Sequence, residues 1–223
     1  SMMFTLEALY ALHMFNDHSN DIAFLPLPAK EGETRKEALL RIVEKGFEDL
    51  SNMELIVDGT PTEECIQYGA YLDEYAQANY HCNVNQLFYY SPNVDEYDRM
   101  AIIIIQNDEN EFLIDRVGTA IFLASLISLY PILQNVDANK KDYLHSEWEA
   151  EAYLKLVLHH PNDDALRIQI NDSSHNVQDR LYYRSDQYLY EYDMENQTRR
   201  SISGEQFKKQ LIQKLKVKGE LWE

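Results

Sequence analysis

The side chains able to do chemistry are few and scattered. Histidines stand at 13, 18, 81, 145, 159, 160 and 175, and Cys65 and Cys82 are the only cysteines. His81-Cys82 and His159-His160 each follow an expected helix, so a composite metal site from these four is the one coordination chemistry on offer. Adjacent side chains of an extended segment point apart, and no carboxylate stands at helical ligand spacing beside either pair. The expectation is therefore no metal and no cofactor, with helix-end cations as the preferred role for the histidines. No Gly-rich phosphate loop, GxSxG elbow or HExxH pair occurs. Carboxylate pairs such as Glu63-Glu64, Asp95-Glu96 and Asp163-Asp164 are what an acidic composition supplies. No set of nucleophile, base and orienting group can be assembled around His81, Cys82 or His159, so an enzyme is not expected.

Charge narrows the partners. Lys and Arg total 20 against 38 Asp and Glu, a net −18. Nucleic-acid binding rests on cations that replace phosphate counterions, so this field repels it. Ala38–Glu74 has the order helix, turn, helix with a small wing, which alone points to DNA; the acid surplus sets that aside. Lys208, Lys209, Lys214, Lys216 and Lys218 cluster where cations favour a helix's negative end. An acidic surface keeps a binder soluble and steers a basic partner. With 45% hydrophobic residues, seven glycines and six prolines, one compact body without a flexible linker is expected over 1–223. Ala120–Leu133 is apolar but too short to cross a bilayer, so no membrane insertion is expected. With two cysteines, no CxxC and no signal peptide read at its start, a reducing cytoplasm is the expected home. Ser1 before Met2 reads as an expression remnant.

The elements that must position any surface follow a repeated order. Helix, three strands, helix occurs twice at an offset of roughly 80 residues. The first copy runs Thr62–Asn79, then Val84–Tyr90, Arg99–Gln106 and Glu111–Asp115, then Gly118–Tyr130. The second runs Ser146–His160, then Ala165–Asn171, Asp179–Ser185 and Gln187–Asp193, then Ser203–Lys216. The expected fold is α+β: a pseudo-twofold duplication forming a central antiparallel sheet flanked by helices. Residues 1–59 form a helical lead-in, 60–131 the first half, 132–145 a crossing segment and 146–223 the second half. Capping boxes at Thr60/Glu63, Thr34/Glu37, Ser146/Glu149 and Ser203/Gln206 start four helices. Gly46, Pro131 and Pro161 read as stops.

Ala101–Ile105 is a continuous apolar run that suits a strand covered on both faces. Asn107–Asn110 supplies a turn before Phe112-Leu113-Ile114. Tyr188, Tyr190 and Tyr192 alternate with polar or aliphatic residues and share one face. That stripe is either core lining or a site; packing is preferred, because tyrosine buries its ring with its hydroxyl near water.

Phe4–Leu12, then Leu25-Pro26-Leu27-Pro28, then Ala38–Phe47 resembles the opening of the EspG-like secretion chaperones of type VII secretion systems, the EsaE-like proteins included. Ile121–Pro131 is similar to the hydrophobic helix that closes the first half of that family. Leu55–Pro61 departs from the family's element before its third helix. The resemblance implies a quasi-twofold α+β body with a central antiparallel sheet. It also implies a cytosolic chaperone or adaptor that keeps a type VII substrate soluble and export-competent, an LXG-type toxin or a small helical partner. In proteins it resembles, the loop joining early strands touches the client. Here that implicates Phe88, Tyr89 and Tyr90 with Val94, Asp95, Glu96 and Tyr97; the alternative for this loop is a plain hairpin connection. The other function class is an acidic immunity protein that fills the basic groove of a nuclease toxin.

Overall fold

Threonine hydroxyls start the first three helices. The computed structural model describes residues 2–18, 21–93, 95, 97–134, 164–173, 176–185 and 187–218. Thr5 accepts from the Ala8 amide ahead of α1 (Leu6–Phe15), and Thr34 from the Glu37 amide ahead of α2 (Arg35–Asn52). Thr62 accepts from the Cys65 amide ahead of α3 (Glu63–Gln77). The α3 cap is thus Thr62 and not Thr60, because Thr60-Pro61 is drawn into the strand β2, paired with β1 (Ile56–Val57). The order expected over Ala38–Glu74 is accordingly seen as α2, a two-stranded wing and α3.

Gly46 does not stop α2. Gly46 is an interior position of the helix, held against α1 at a distance only a missing side chain permits: an added Cβ would lie 2.2 Å from the Glu7 carbonyl oxygen and 2.7 Å from the Ala11 Cβ. Local sequence cannot distinguish a glycine that ends a helix from one that admits a neighbour.

Eight further strands build one antiparallel sheet: β3 (Tyr80–Val84), β4 (Phe88–Pro92), β5 (Met100–Asp108), β6 (Glu111–Gly118), β7 (Ala165–Asp172), β8 (Asn176–Ser185), β9 (Tyr188–Asp193) and β10 (Thr198–Ile202). Their order is β10-β9-β8-β7-β3-β4-β5-β6. Helices α4 (Thr119–Leu129), α5 (Pro131–Gln134) and α6 (Gly204–Lys214) complete the described elements, and the fold is α+β. Each run holds four strands rather than three. The expected strand Val84–Tyr90 is broken by a turn in which Asn85 and Gln86 both take the left-handed conformation, at φ 53° and 58°. The Asn83 side chain accepts from the Gln86 amide to fix that turn. Two positive φ values suit a tight hairpin, but without glycine the sequence does not announce it. In the second run β10 follows a turn closed by Asp193, whose carboxylate accepts from the Glu195 and Asn196 amides. The helix expected over Ser146–His160, with its cap and with His145, His159 and His160, lies outside the described residues.

The chain divides into two compact units. The first comprises Ser1–His81, Leu87–Ser91 and Ala101–Arg116; the second comprises Cys82–Gln86, Pro92–Met100 and Val117–Glu223. The core of the first collects Leu9, Leu12, Ile42, Leu50, Leu72 and Tyr75 from the helices with Tyr89, Ile102, Ile104 and Phe112 from the strands. As expected of a doubly covered strand, Ala101–Ile104 is buried throughout. In the second unit, strand alternation sends neighbouring tyrosines to opposite faces. Tyr183 stacks on Tyr190 at 5.4 Å, within a cluster that Tyr188 and Tyr192 join, so the tyrosine stripe packs. Tyr182 faces the other way and lies over Phe207 of α6 at 4.8 Å. The Ser203 capping box is complete: each partner's side chain accepts from the other's amide.

Candidate partner-binding surface

The strand β4 places the three aromatic candidates in the first unit, and all three are buried. Tyr90 is sealed completely; Tyr89 packs near Phe112 and donates from its hydroxyl to Gln106 Oε1 at 3.2 Å. Phe88, Tyr89 and Tyr90 are thus packed in the strand and present no exposed ring, unlike the loop that follows them. Strand burial on both faces, the same physics as in β5, produced an aromatic run that resembles an interface anchor.

In the connection between β4 and β5, in the second unit, the described residues Asn93, Asp95, Tyr97 and Asp98 bond side chain to main chain. Asn93 Oδ1 accepts from the Asp95 amide at 2.9 Å, Asp95 Oδ1 from the Tyr97 amide at 3.0 Å, and Asp98 Oδ1 from the Met100 amide at 2.8 Å. Asn93 Nδ2 donates to the other Asp98 oxygen at 2.9 Å. Such Asx turns set backbone direction without glycine. The far end of the chain then fastens the loop. The Lys218 ammonium donates to the carbonyl oxygens of Asp98 at 2.7 Å, Asn93 at 3.3 Å, and Asp95. The Lys218 amide donates to Thr119 Oγ1, and the Thr119 amide donates to the Arg99 carbonyl. One cation thus neutralises three converging carbonyl dipoles, a contact that no local sequence pattern reveals.

Out of this loop stands Tyr97, 90% exposed. Its ring is the most exposed of the large hydrophobic side chains among the described residues. Asp95 is exposed beside it in sequence. Val94 and Glu96 lie outside the described residues. Of the seven candidates, the loop pair Asp95 and Tyr97 alone is seen at a surface.

Among the described residues, His13, His81, Cys65 and Cys82 are buried. His81 is buried, its Nε2 2.6 Å from the Tyr75 carbonyl oxygen, which fixes that nitrogen as the donor. Burial lowers its pKa below the ordinary 6.5. Burial also pushes the Cys82 thiol up to about 12, so it is not a thiolate at neutral pH. His18 meets Asp73 at 2.8 Å and stacks on His13 at 5.2 Å. Among the described residues no group of three or more His, Cys, Asp or Glu is placed to hold a metal, and no helix is long and apolar enough to cross a membrane.

A family model matches residues 2–221. The chain belongs to the family described as Domain of unknown function (DUF5081). No curated protein matches the chain.

Within this member of the family the charge is unevenly spread. Acidic residues greatly outnumber basic ones before residue 135, whereas the two signs balance after residue 163. The C-terminal basic residues are largely engaged: Arg167 pairs with Asp179 at 2.7 Å, Arg180 with Asp193 at 3.1 Å and Arg200 with Glu191 at 2.9 Å. Lys214 donates to Gln178 Oε1 at 2.5 Å and is half-buried, which lowers its pKa.

Proposed function

We infer that this chain is a cytosolic secretion chaperone or adaptor that holds a type VII substrate soluble and export-competent, an LXG-type toxin or a small helical partner. The observation that carries the reading is the sheet: eight antiparallel strands whose order runs outward as two four-strand series from the neighbours β3 and β7. A central antiparallel sheet flanked by helices is what the EspG-like resemblance implies. The resemblance itself rests on Phe4–Leu12, Leu25–Pro28, Ala38–Phe47 and Ile121–Pro131. A preformed surface costs little ordering entropy on binding, which suits a protein that must cover an apolar client quickly. The burial of His13, His81, Cys65 and Cys82 favours binding over catalysis.

The experiment is co-expression with an LXG-type toxin or a small helical secretion substrate. The client alone should sediment with the insoluble fraction, and together the two should co-purify and the client should be exported. A client equally soluble and equally exported without this chain overturns the reading.

The acid surplus, concentrated before residue 135, supports a second reading. An immunity protein for a nuclease toxin would use such a field to occupy a basic catalytic groove.

A further inference from the structure

The first unit carries an apolar stripe that its own core does not use. On α2 the residues Ala38, Ile42, Gly46, Asp49 and Leu50 are buried. Leu40, Val43 and Phe47 follow one another at spacings of three and four, so they share a different side of the helix. Leu40 is 63% exposed and Phe47 39%. Phe15, the last residue of α1, is 44% exposed and meets Phe47 edge-on, ring centroids 6.3 Å apart. Isolated exposed apolar side chains are ordinary on any protein. Phe15 of α1 against Phe47 of α2, with Leu40 about two turns earlier on α2, is a patch.

Charge says what covers it. Glu37, Glu44 and Glu48 are all exposed, and helical spacing sets them in a row along one flank of the stripe. The cations nearest that row are mostly engaged elsewhere: Arg41 grips Glu33 at 2.8 Å, and Lys45 reaches Asp49 at 2.5 Å while also attracting Glu48. Lys36 stands one turn before Leu40, at the N-terminal end of the stripe. An apolar stripe with a net acidic flank is complementary to an amphipathic helix whose own flank carries Lys or Arg. A second copy of the chain would add one acidic row to another, which disfavours self-pairing.

We propose that the α2 stripe of Leu40, Val43 and Phe47, with Phe15, docks an amphipathic helix with a basic flank from a partner protein. The inference deepens the binder reading and rests on it for the expectation of a helical client. It is tested without a client, so that the two can fail separately.

The probe is a labelled helical peptide of about 18 residues, long enough for helicity in water, with a leucine stripe flanked by lysines. Its counterpart carries glutamates in place of the lysines. The whole chain should bind the lysine peptide by fluorescence anisotropy and not the glutamate peptide. Leu40→Ser with Phe47→Ser should weaken binding at least about tenfold, as expected for paired anchors. Glu37→Lys, Glu44→Lys and Glu48→Lys together should pass the preference to the glutamate peptide. Asp108→Lys, Glu109→Lys and Glu111→Lys, in and beside the β5–β6 turn, remove as much acid elsewhere and should leave binding unchanged. All these positions are exposed, and circular dichroism checks that each variant folds. Equal binding by wild type and both stripe variants overturns the proposal, as does equal loss in the turn variant, which would mean attraction to net charge alone. Self-association of the free chain that Leu40→Ser with Phe47→Ser abolishes would also overturn it, by assigning the stripe to a second copy.

Discussion

The Glu7 carbonyl and Gly46 are packed so closely that a Cβ at residue 46 would sit 2.2 Å from the carbonyl oxygen. The atom in the way is main chain of α1 and cannot rotate aside. Gly46→Ala should therefore push α1 from α2, although alanine is the better helix former by about 1 kcal/mol. Overpacking in a core typically costs about 1–3 kcal/mol and here should exceed the helix-propensity gain. Urea unfolding should show a lower midpoint for Gly46→Ala; an unchanged or raised midpoint would mean the helices separate freely.

That glycine also shows where the sequence was legible and where it was not. Capping residues located the starts of α2 and α6, Pro131 the end of α4, and β-branched composition located β5, because these signals are local. Whether Gly46 ends a helix or admits Glu7 depends on a partner 39 positions away in the chain, which no local pattern contains. The left-handed pair Asn85-Gln86 hid a turn for a similar reason, since its conformation is held by Asn83 and the hairpin rather than by glycine. The candidate surface was less legible than the fold. Aromatic runs mark cores and interfaces alike, and only burial separates Tyr90 from Tyr97.

Those two tyrosines give opposite expectations for one substitution. Tyr90→Ala empties a sealed site and should cost about 3–5 kcal/mol of stability, as large-to-small core changes of aromatic residues do. Tyr97→Ala removes an exposed ring and should change stability by less than about 0.5 kcal/mol. Thermal and urea unfolding of both variants checks this. Equal losses would place Tyr97 in a packed environment.

Lys218 should govern the order of the loop it fastens. Lys218→Met keeps the aliphatic stem but removes the donors to Asn93, Asp95 and Asp98. Amide hydrogen exchange at Asp95, Tyr97 and Asp98 should accelerate, while exchange in β5 stays slow. If Lys218→Met leaves loop exchange unaltered, the Asx turns alone hold it.

His81 makes stability depend on pH in one direction. Burial holds its folded pKa below 6.5, so the unfolded chain takes up a proton that the folded chain refuses. Its contribution is complete above about pH 6.5 and declines as pH falls through the folded pKa. Each unit of depression is worth about 1.4 kcal/mol. His81→Gln retains an amide donor for the Tyr75 carbonyl but does not titrate there. The difference in urea midpoint between wild type and His81→Gln should shift against wild type on going from about pH 8 to pH 5. A pH-independent difference would show that His81 titrates as it does in the unfolded chain.

Salt separates the two functional readings. A chaperone that covers apolar helices relies on contact area, and in 1 M salt, where the Debye length is about 3 Å, its complex should persist. An immunity protein relies on its acidic field to find a basic groove, so its association rate should fall steeply over the same range. The mutational maps should differ as well. Leu40, Phe47 and Tyr97 should dominate for a chaperone, and the exposed carboxylates before residue 135 for an immunity protein. Stopped-flow association with the partner found by co-expression, at low salt and in 1 M salt, gives the decisive ratio. A rate that drops by orders of magnitude, with toxin inhibition lost and secretion untouched in the acidic variants, would defeat the chaperone reading. A rate changed only a few-fold, with client solubility lost in Leu40→Ser/Phe47→Ser, would defeat the immunity reading.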